Sequence, residues 1–275
     1  VIVIPQYLND YFDLLEKREG IKLEIGQKRW YTHKYKELGE AICQEYPSTP
    51  DESFMGSTEG FWYLKEFADV REAGQITNVL HQPQLLTYTA WDIGYGDNTS
   101  IWFYQLMPSG NVHIIDYYEN NAEGLSHYVE VINEKRYTYG VHYFPHDAAA
   151  HEKGSGLSYE TQAKDLGLDV KVLMRYNPSK TTFQAEVQRV RNLLKRCWFD
   201  EARCAIGIKH LESYQKKWNE SMGHYTSEPV HNIHSHCADA FRYLAQAVEV
   251  KARKATVDKM EAEREYIRVA RRRRI

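Results

Sequence analysis

A mixed α/β fold, one twisted sheet of five strands with helices on both faces, is what this 275-residue sequence predicts. Three observations carry it. Residues 85–93 are apolar on both faces, as a strand covered from both sides should be. Two more strand-like runs follow at once, and the turn PSGN joins them. Beyond them, strand-like runs alternate with segments of helical period, the pattern of strands extended in parallel through helical crossovers.

Taken in order, the first 46 residues predict a short strand at Val1–Ile4 and a charged, mostly helical stretch carrying Trp30, Tyr31, Leu38, Ile42 and Cys43. That piece is too small to bury much core by itself. Residues 47–60, PSTPDESFMGSTEG, gather Pro, Ser, Thr and Gly between periodic segments and mark a boundary. The strands then fall at 85–93, 100–107 and 112–118. A helix is expected over 125–135, a strand at 141–144, a helix at 159–166 and a strand at 170–174. Phe183, Val187, Val190, Leu194 and Cys197 recur at intervals of four and three, one apolar stripe of a helix. Further helices are expected from Cys204 to Trp218 and from Ser235 to Val250. Three sequential strands followed by two crossover strands is ribonuclease-H-like connectivity; its first half is equally that of the actin-like ATPases, so topology alone does not assign function.

Composition narrows the class. Hydrophobic residues are 43% and charged residues 27%, with a net charge of -3, which is ordinary for a soluble globular protein and announces no global nucleic-acid binder. Charge is local instead, in the basic end RVARRRRI. Cys43, Cys197, Cys204 and Cys237 fall in no metal-ligand or paired spacing and read as reduced core thiols of a cytosolic protein. No apolar run reaches the ~18 residues of a membrane span, and no signal peptide is visible. Since the chain starts VIVIP, without an initiator Met, it reads as a fragment of something longer.

The chemistry concentrates in AWDIGYGDNTSIW, residues 90–102. Asp92 ends an apolar strand, and a carboxylate there needs a partner, because even an unpartnered polar group costs roughly 2 to 7 kcal/mol to bury. A metal ion, a cationic side chain or the hydroxyl of a bound phosphate compound would each serve. Asp147, in YFPHDAAAHE, follows the fourth strand, which lies beside the first in this connectivity. Asp239, in HSHCADAFRYL, is placed in the opening turn of the last helix, where the helix dipole favours an anion. Cys237, Phe241, Leu244 and Val248 form that helix's core stripe, and Asp239 stands off it, on a flank with His236 and Tyr243.

Taken singly, Asp92 is a turn residue before glycine, Asp147 a loop carboxylate and Asp239 a helix-end charge. His146, His151 and His236 read as polar surface or supporting groups. Together the three aspartates can converge on one sheet edge, where divalent cations would relieve their repulsion. Two such ions about 3.5 to 4 Å apart are the usual apparatus of phosphodiester hydrolysis, and oxygen-only ligation favours Mg²⁺ or Mn²⁺. Gly94 and Gly96 would let the backbone approach a metal or phosphate closely, and Asp97 would add a fourth ligand or orient a water.

With these residues in view, the sequence resembles the large terminase subunit of tailed bacteriophages. WDIGYGDNTSIW, FPHDAA and HCADAFRYL match its C-terminal nuclease domain in order, and RWYTHKYKELGEAICQEYPSTPDESF resembles the segment joining its packaging ATPase to that nuclease. The resemblance extends to about residue 250. It implies 1–57 as the end of the ATPase domain and linker, 58–250 as a ribonuclease-H-like nuclease and 251–275 as a charged tail. It further implies an endonuclease that cuts concatemeric viral DNA, with Asp92, Asp147 and Asp239 as catalytic, metal-binding residues, Asp97 as a less constant fourth ligand, and two Mg²⁺ or Mn²⁺ ions. Double-stranded DNA, the portal protein and the small terminase subunit are the implied partners, in the host cytoplasm, outside the mature virion and with no membrane.

No GxxxxGK[ST] motif occurs, so ATP hydrolysis is not expected. Cellular ribonuclease H adds a glutamate from its first helix; Glu130 and Glu134 are available here, but neither matches a motif. Lys153, Arg175 and Lys180 are expected to touch DNA phosphates. Residues 151–159 and 219–234 are either mobile flaps over the site or tolerant surface loops. The tail reads as a solvated or frayed helix, or as a docking element for portal or DNA. Two competing functions are an actin-like ATPase or sugar kinase, suggested by DIGYGDNTS but lacking the second glycine-rich phosphate loop, and a non-catalytic DNA- or portal-binding module with structural carboxylates.

Overall fold

The computed structural model describes residues 3–38, 42, 46–49, 60–94, 97–150, 156–174, 182–220 and 222–272, with the backbone course alone for 253–272. The chain divides into two compact units: residues 1–61 with Trp218–Tyr225, and residues 62–217 with 226–275. In the first unit, helices α1 (Gln6–Glu19) and α2 (Ile25–Leu38) bury Leu8, Phe12, Leu15, Tyr31 and Ile42. Val3 and Ile4 lie in no strand: Pro5 immediately caps α1, and no strand among the described residues pairs with them. Val1, Ile2 and Cys43 fall outside the described residues.

The second unit is built on one sheet. Its strands are β1 (Ile76–Thr77), β2 (Thr87–Asp92), β3 (Thr99–Leu106), β4 (Val112–Asn120), β5 (Tyr139–Phe144), β6 (Val170–Val172) and β7 (Cys197–Asp200). Their order is β1-β7-β4-β3-β2-β5-β6. β2, β3 and β4 form the expected antiparallel meander, and β5 and β6 extend it in parallel from β2. The five expected strands therefore occupy the ribonuclease-H-like arrangement. The sheet nevertheless has seven strands, because β7 pairs in parallel with β4 and the two-residue β1 pairs with β7.

Strand alternation assigns the faces. In β3, Trp102 and Tyr104 join a core formed with helices α3 (Leu64–Glu72), α6 (Phe183–Leu194), α7 (Ala205–Glu212) and α8 (Ile233–Arg272). Their neighbours Ile101 and Phe103 point the other way, into a core with α4 (Leu125–Glu134) and α5 (Tyr159–Asp165). Both faces are thus covered, which is why β2 and β3 carry no polar face. Cys197, Cys204 and Cys237 are buried free thiols.

Three helix ends differ from the sequence reading. The α6 stripe stops at Leu194; Arg196 N–H closes on Leu193 O, and Cys197 goes to β7, opposite Val112. The helix expected up to Trp218 ends at Glu212, and Lys216–Asn219 (β8) pairs with His224–Pro229 (β9) in a hairpin. Residue 219 and residues 224–229 of the segment expected as a 219–234 loop are therefore strand. Finally, α8 starts two residues early and runs to Arg272. Asn232 caps it, its Oδ1 accepting the His234 N–H at 2.9 Å while Ser235 Oγ accepts the Asn232 N–H at 3.3 Å. No helix among the described residues is long and apolar enough to cross a membrane.

Candidate active site: a carboxylate edge

Parallel pairing of β2 with β5, with Ala90 opposite Tyr143, brings the C-terminal ends of both strands to one edge. Asp92 is the last residue of β2. Beyond β5, Pro145 leads into a single 3₁₀ turn, His146–Ala149, which holds Asp147. Helix α8 crosses this edge with its core stripe turned inward: Cys237, Phe241, Leu244 and Val248 are all buried. Trp102 Nε1–H donates to Cys237 O at 3.1 Å, tying the helix to β3. Asp239 then stands in the second turn of α8 rather than its first, because the Asn232 cap moves the helix start upstream. The dipole effect fades within one turn, so it does little for Asp239.

Its counter-charge is a side chain instead. Arg242 Nη2 and Nε lie 2.6 and 3.2 Å from Asp239 Oδ1, and Arg242 Nη1 donates to Glu186 of α6. On the same flank, His236 Nδ1 lies 3.2 Å from Asp92 Oδ2, and Tyr243 OH lies 3.3 Å from His146 Nδ1. The first contact joins α8 to β2, and the second joins it to the turn bearing Asp147.

Electrostatics tie the aspartates together. Burial pushes the Asp92 carboxyl up to about 6; the hydrogen bond from His236 opposes this, while the charges of Asp239 and Asp147 push it further up. His236 is raised in turn, chiefly by its bond to Asp92, and the charges of Asp97 and Asp239 act in the same direction. Asp92, Asp97, Asp147 and Asp239 therefore share one electrostatic neighbourhood. Among the described residues, no group of three or more His, Cys, Asp or Glu is already set to hold a metal ion. The donor set still fits hard divalent cations, since it offers carboxylate oxygens whose mutual repulsion such an ion would relieve.

The other expected residues divide. Gly94 is needed for the turn itself: a Cβ there would lie 2.9 Å from Asn98 O and from Asp97, so the loop closes on its own backbone. Gly96, His151, Lys153, Arg175 and Lys180 lie outside the described residues. Glu130 and Glu134 are exposed on α4, and neither is among the groups that act on Asp92. Sequence reasoning passed over Arg242 and Glu186. The Asp239-x-x-Arg242 spacing, neighbours on a helix face, was the available signal for the first; nothing local pointed to Glu186. Nor did it see the polar chain beneath the start of α8, where His210 Nδ1 lies 2.7 Å from His234 Nδ1 and His210 Nε2 lies 3.1 Å from Glu119 Oε1.

Fold and edge together define a ribonuclease-H-like α/β protein with aspartates gathered where two parallel strands end. Over two thirds of its length, the chain has the fold of a phage large terminase. The large terminase of a thermophilic bacteriophage superposes with a TM-score of 0.52 at 18% identity, covering 68% of this chain and 45% of that one. The same phage protein in complex with ATP-γ-S gives 0.51 at 19% identity over the same shares. Its complex with ADP gives 0.51 at 16% identity, covering 78% of this chain and 53% of that one. This chain thus spans about half the length of that terminase. No protein-family model and no curated relative matches the sequence.

Proposed function

We propose that this chain is the nuclease portion of a phage large terminase, a metal-dependent endonuclease that cuts concatemeric viral DNA. What supports the reading is that the charges of Asp147 and Asp239 act on Asp92 at the end of β2, on a fold shared with the thermophilic phage's large terminase. These three would hold two Mg²⁺ or Mn²⁺ ions, with Asp97 as a fourth donor. Such ions activate the attacking water and stabilise the leaving oxygen.

The chain's own residues prepare that site. Asp92, with its pKa about 6, is ionised at neutral pH and carries the ligand charge. His236 holds Asp92 at Oδ2, and no hydrogen bond among the described residues falls on Oδ1. Tyr243 and His146 fix the turn that presents Asp147. The reading extends to double-stranded DNA as substrate, to the portal and small terminase subunit as partners, and to action in the host cytoplasm.

Nicking and linearisation of supercoiled plasmid in Mn²⁺, Mg²⁺ or EDTA tests it. Cutting is expected with either ion, not with EDTA, and is expected to be lost separately in Asp92→Asn, Asp147→Asn and Asp239→Asn. Cutting that persists in all three folded variants would sink the assignment.

A further inference from the structure

Asp239 is held from one side. Both hydrogen bonds from Arg242 fall on Oδ1, and among the described residues nothing bonds Oδ2. Arg242 is itself fixed. Its Nη1 donates to Glu186, its guanidinium carbon stands 5.0 Å from the centre of the Phe183 ring, and its side chain is only 17% exposed. A guanidinium stays protonated throughout the ordinary pH range, so the cation is permanent. Glu186 cancels the charge of Arg242. The pair therefore orients Asp239 without altering the net charge of the edge.

We propose that Arg242 is a positioning residue that restricts Asp239 to one-oxygen coordination and thereby sets which divalent cation the edge accepts. The inference rests on the reading of Asp239 as a metal ligand. Ca²⁺ takes six to eight oxygens at about 2.3–2.6 Å and uses carboxylates in bidentate fashion, whereas Mg²⁺ demands a compact octahedron at about 2.0–2.1 Å. With Oδ1 committed to two N–H donors, Asp239 offers Oδ2 alone. That suits a small octahedral ion and denies a large one its second oxygen. Bidentate binding would require Oδ1 to leave Arg242, which Glu186 and Phe183 keep in place.

Calorimetric titration of Mn²⁺ and of Ca²⁺ into the full chain separates the possibilities, using Asp239→Asn, Arg242→Gln and the double variant Glu186→Gln/Arg242→Gln. The double variant does not leave Glu186 as an unpaired charge, so it keeps the test open if the single change fails to fold. Asp239→Asn is expected to weaken both ions. Both Arg242 variants are expected to weaken Mn²⁺ about tenfold, the usual scale for losing a ligand's outer partner, while Ca²⁺ binds as before or more tightly. The Ca²⁺ to Mn²⁺ affinity ratio should therefore rise about tenfold. General loosening would weaken both ions alike and leave that ratio where it was. An unchanged ratio in the Arg242 variants, with Asp239→Asn still defective, overturns the positioning role and spares the metal reading. A parent chain that binds neither ion, or an Asp239→Asn variant that binds like the parent, overturns both.

Discussion

His236 Nδ1 stands 3.2 Å from Asp92 Oδ2, across 144 positions of sequence, and is the contact by which α8 reaches the end of β2. It answers why an apolar strand ends in a carboxylate: an imidazole partner is supplied, and it meets the need only in part. The imidazole does not offset burial and the two neighbouring aspartates, and the Asp92 pKa stays raised at about 6. A group whose folded pKa lies above its unfolded value stabilises below the unfolded value and loses that contribution as pH rises through the folded one. Asp92 therefore costs stability at neutral pH in the absence of metal.

Asp92→Asn should accordingly make the metal-free protein more stable at pH 7.5 by about 1 to 2 kcal/mol, and no more stable at pH 4. The figure is below the full value of the shift because the side chain is 19% exposed. Urea denaturation at the two pH values in EDTA measures it. Adding Mn²⁺ should reverse the ranking at pH 7.5, since an ion bound only by the folded parent stabilises the parent. A variant weaker than the parent at pH 7.5 in EDTA would show that Asp92 is held by structure rather than for chemistry.

How much of this was legible in the sequence depends on the range of the forces involved. The central strands were readable because burial on both faces writes itself into consecutive residues. Strand β1, two residues long, has no pattern to read, and Cys197 continued the helical interval of α6 while its backbone paired with β4. An apolar residue at the spacing of Trp218 suits a helix end or a strand equally; pairing between β8 and β9 decides for the strand. That Asp92 ends a strand and Asp147 follows one was legible from the strand pattern alone. The clamp on Asp239 was not, because it depends on Glu186 arriving from α6, 56 positions away from Arg242.

A second pH prediction comes from inside the sheet. His142 is 2% exposed, and burial lowers its pKa to about 4. Thr89 Oγ1 accepts Trp91 Nε1–H at 2.7 Å and lies 2.7 Å from His142 Nδ1, a hydrogen-bonded chain inside the sheet. A depressed pKa gives stability that is full above the unfolded value, near 6.5, and falls away as pH drops toward 4. The loss should approach about 3 kcal/mol. His142→Gln is expected to be less stable than the parent at pH 7.5 but flatter between pH 6.5 and 4, by urea midpoints in EDTA. Parallel pH curves would place the acid sensitivity elsewhere.

The last prediction concerns how α7 approaches the sheet. Gly207 lies within that helix, and a Cβ there would come 2.4 Å from Trp102 Cη2 and 2.8 Å from Tyr117 Cγ. Helix propensity favours alanine over glycine by about 1 kcal/mol, so an exposed site would gain from Gly207→Ala. Here the clash decides the sign. Trp102 is fully buried, edge-on to Phe241 and Phe199, and its indole N–H is bonded to Cys237 O; it cannot give way without moving α8. Overpacking typically costs about 1 to 3 kcal/mol, which exceeds the propensity gain. Gly207→Ala should thus lower the urea midpoint, and because the strain falls on the residue that anchors α8 beside Asp239, it should weaken Mn²⁺ binding as well. A midpoint equal to or above the parent's would mean that the indole and α7 can separate at no cost, and that Trp102 does not fix the helix.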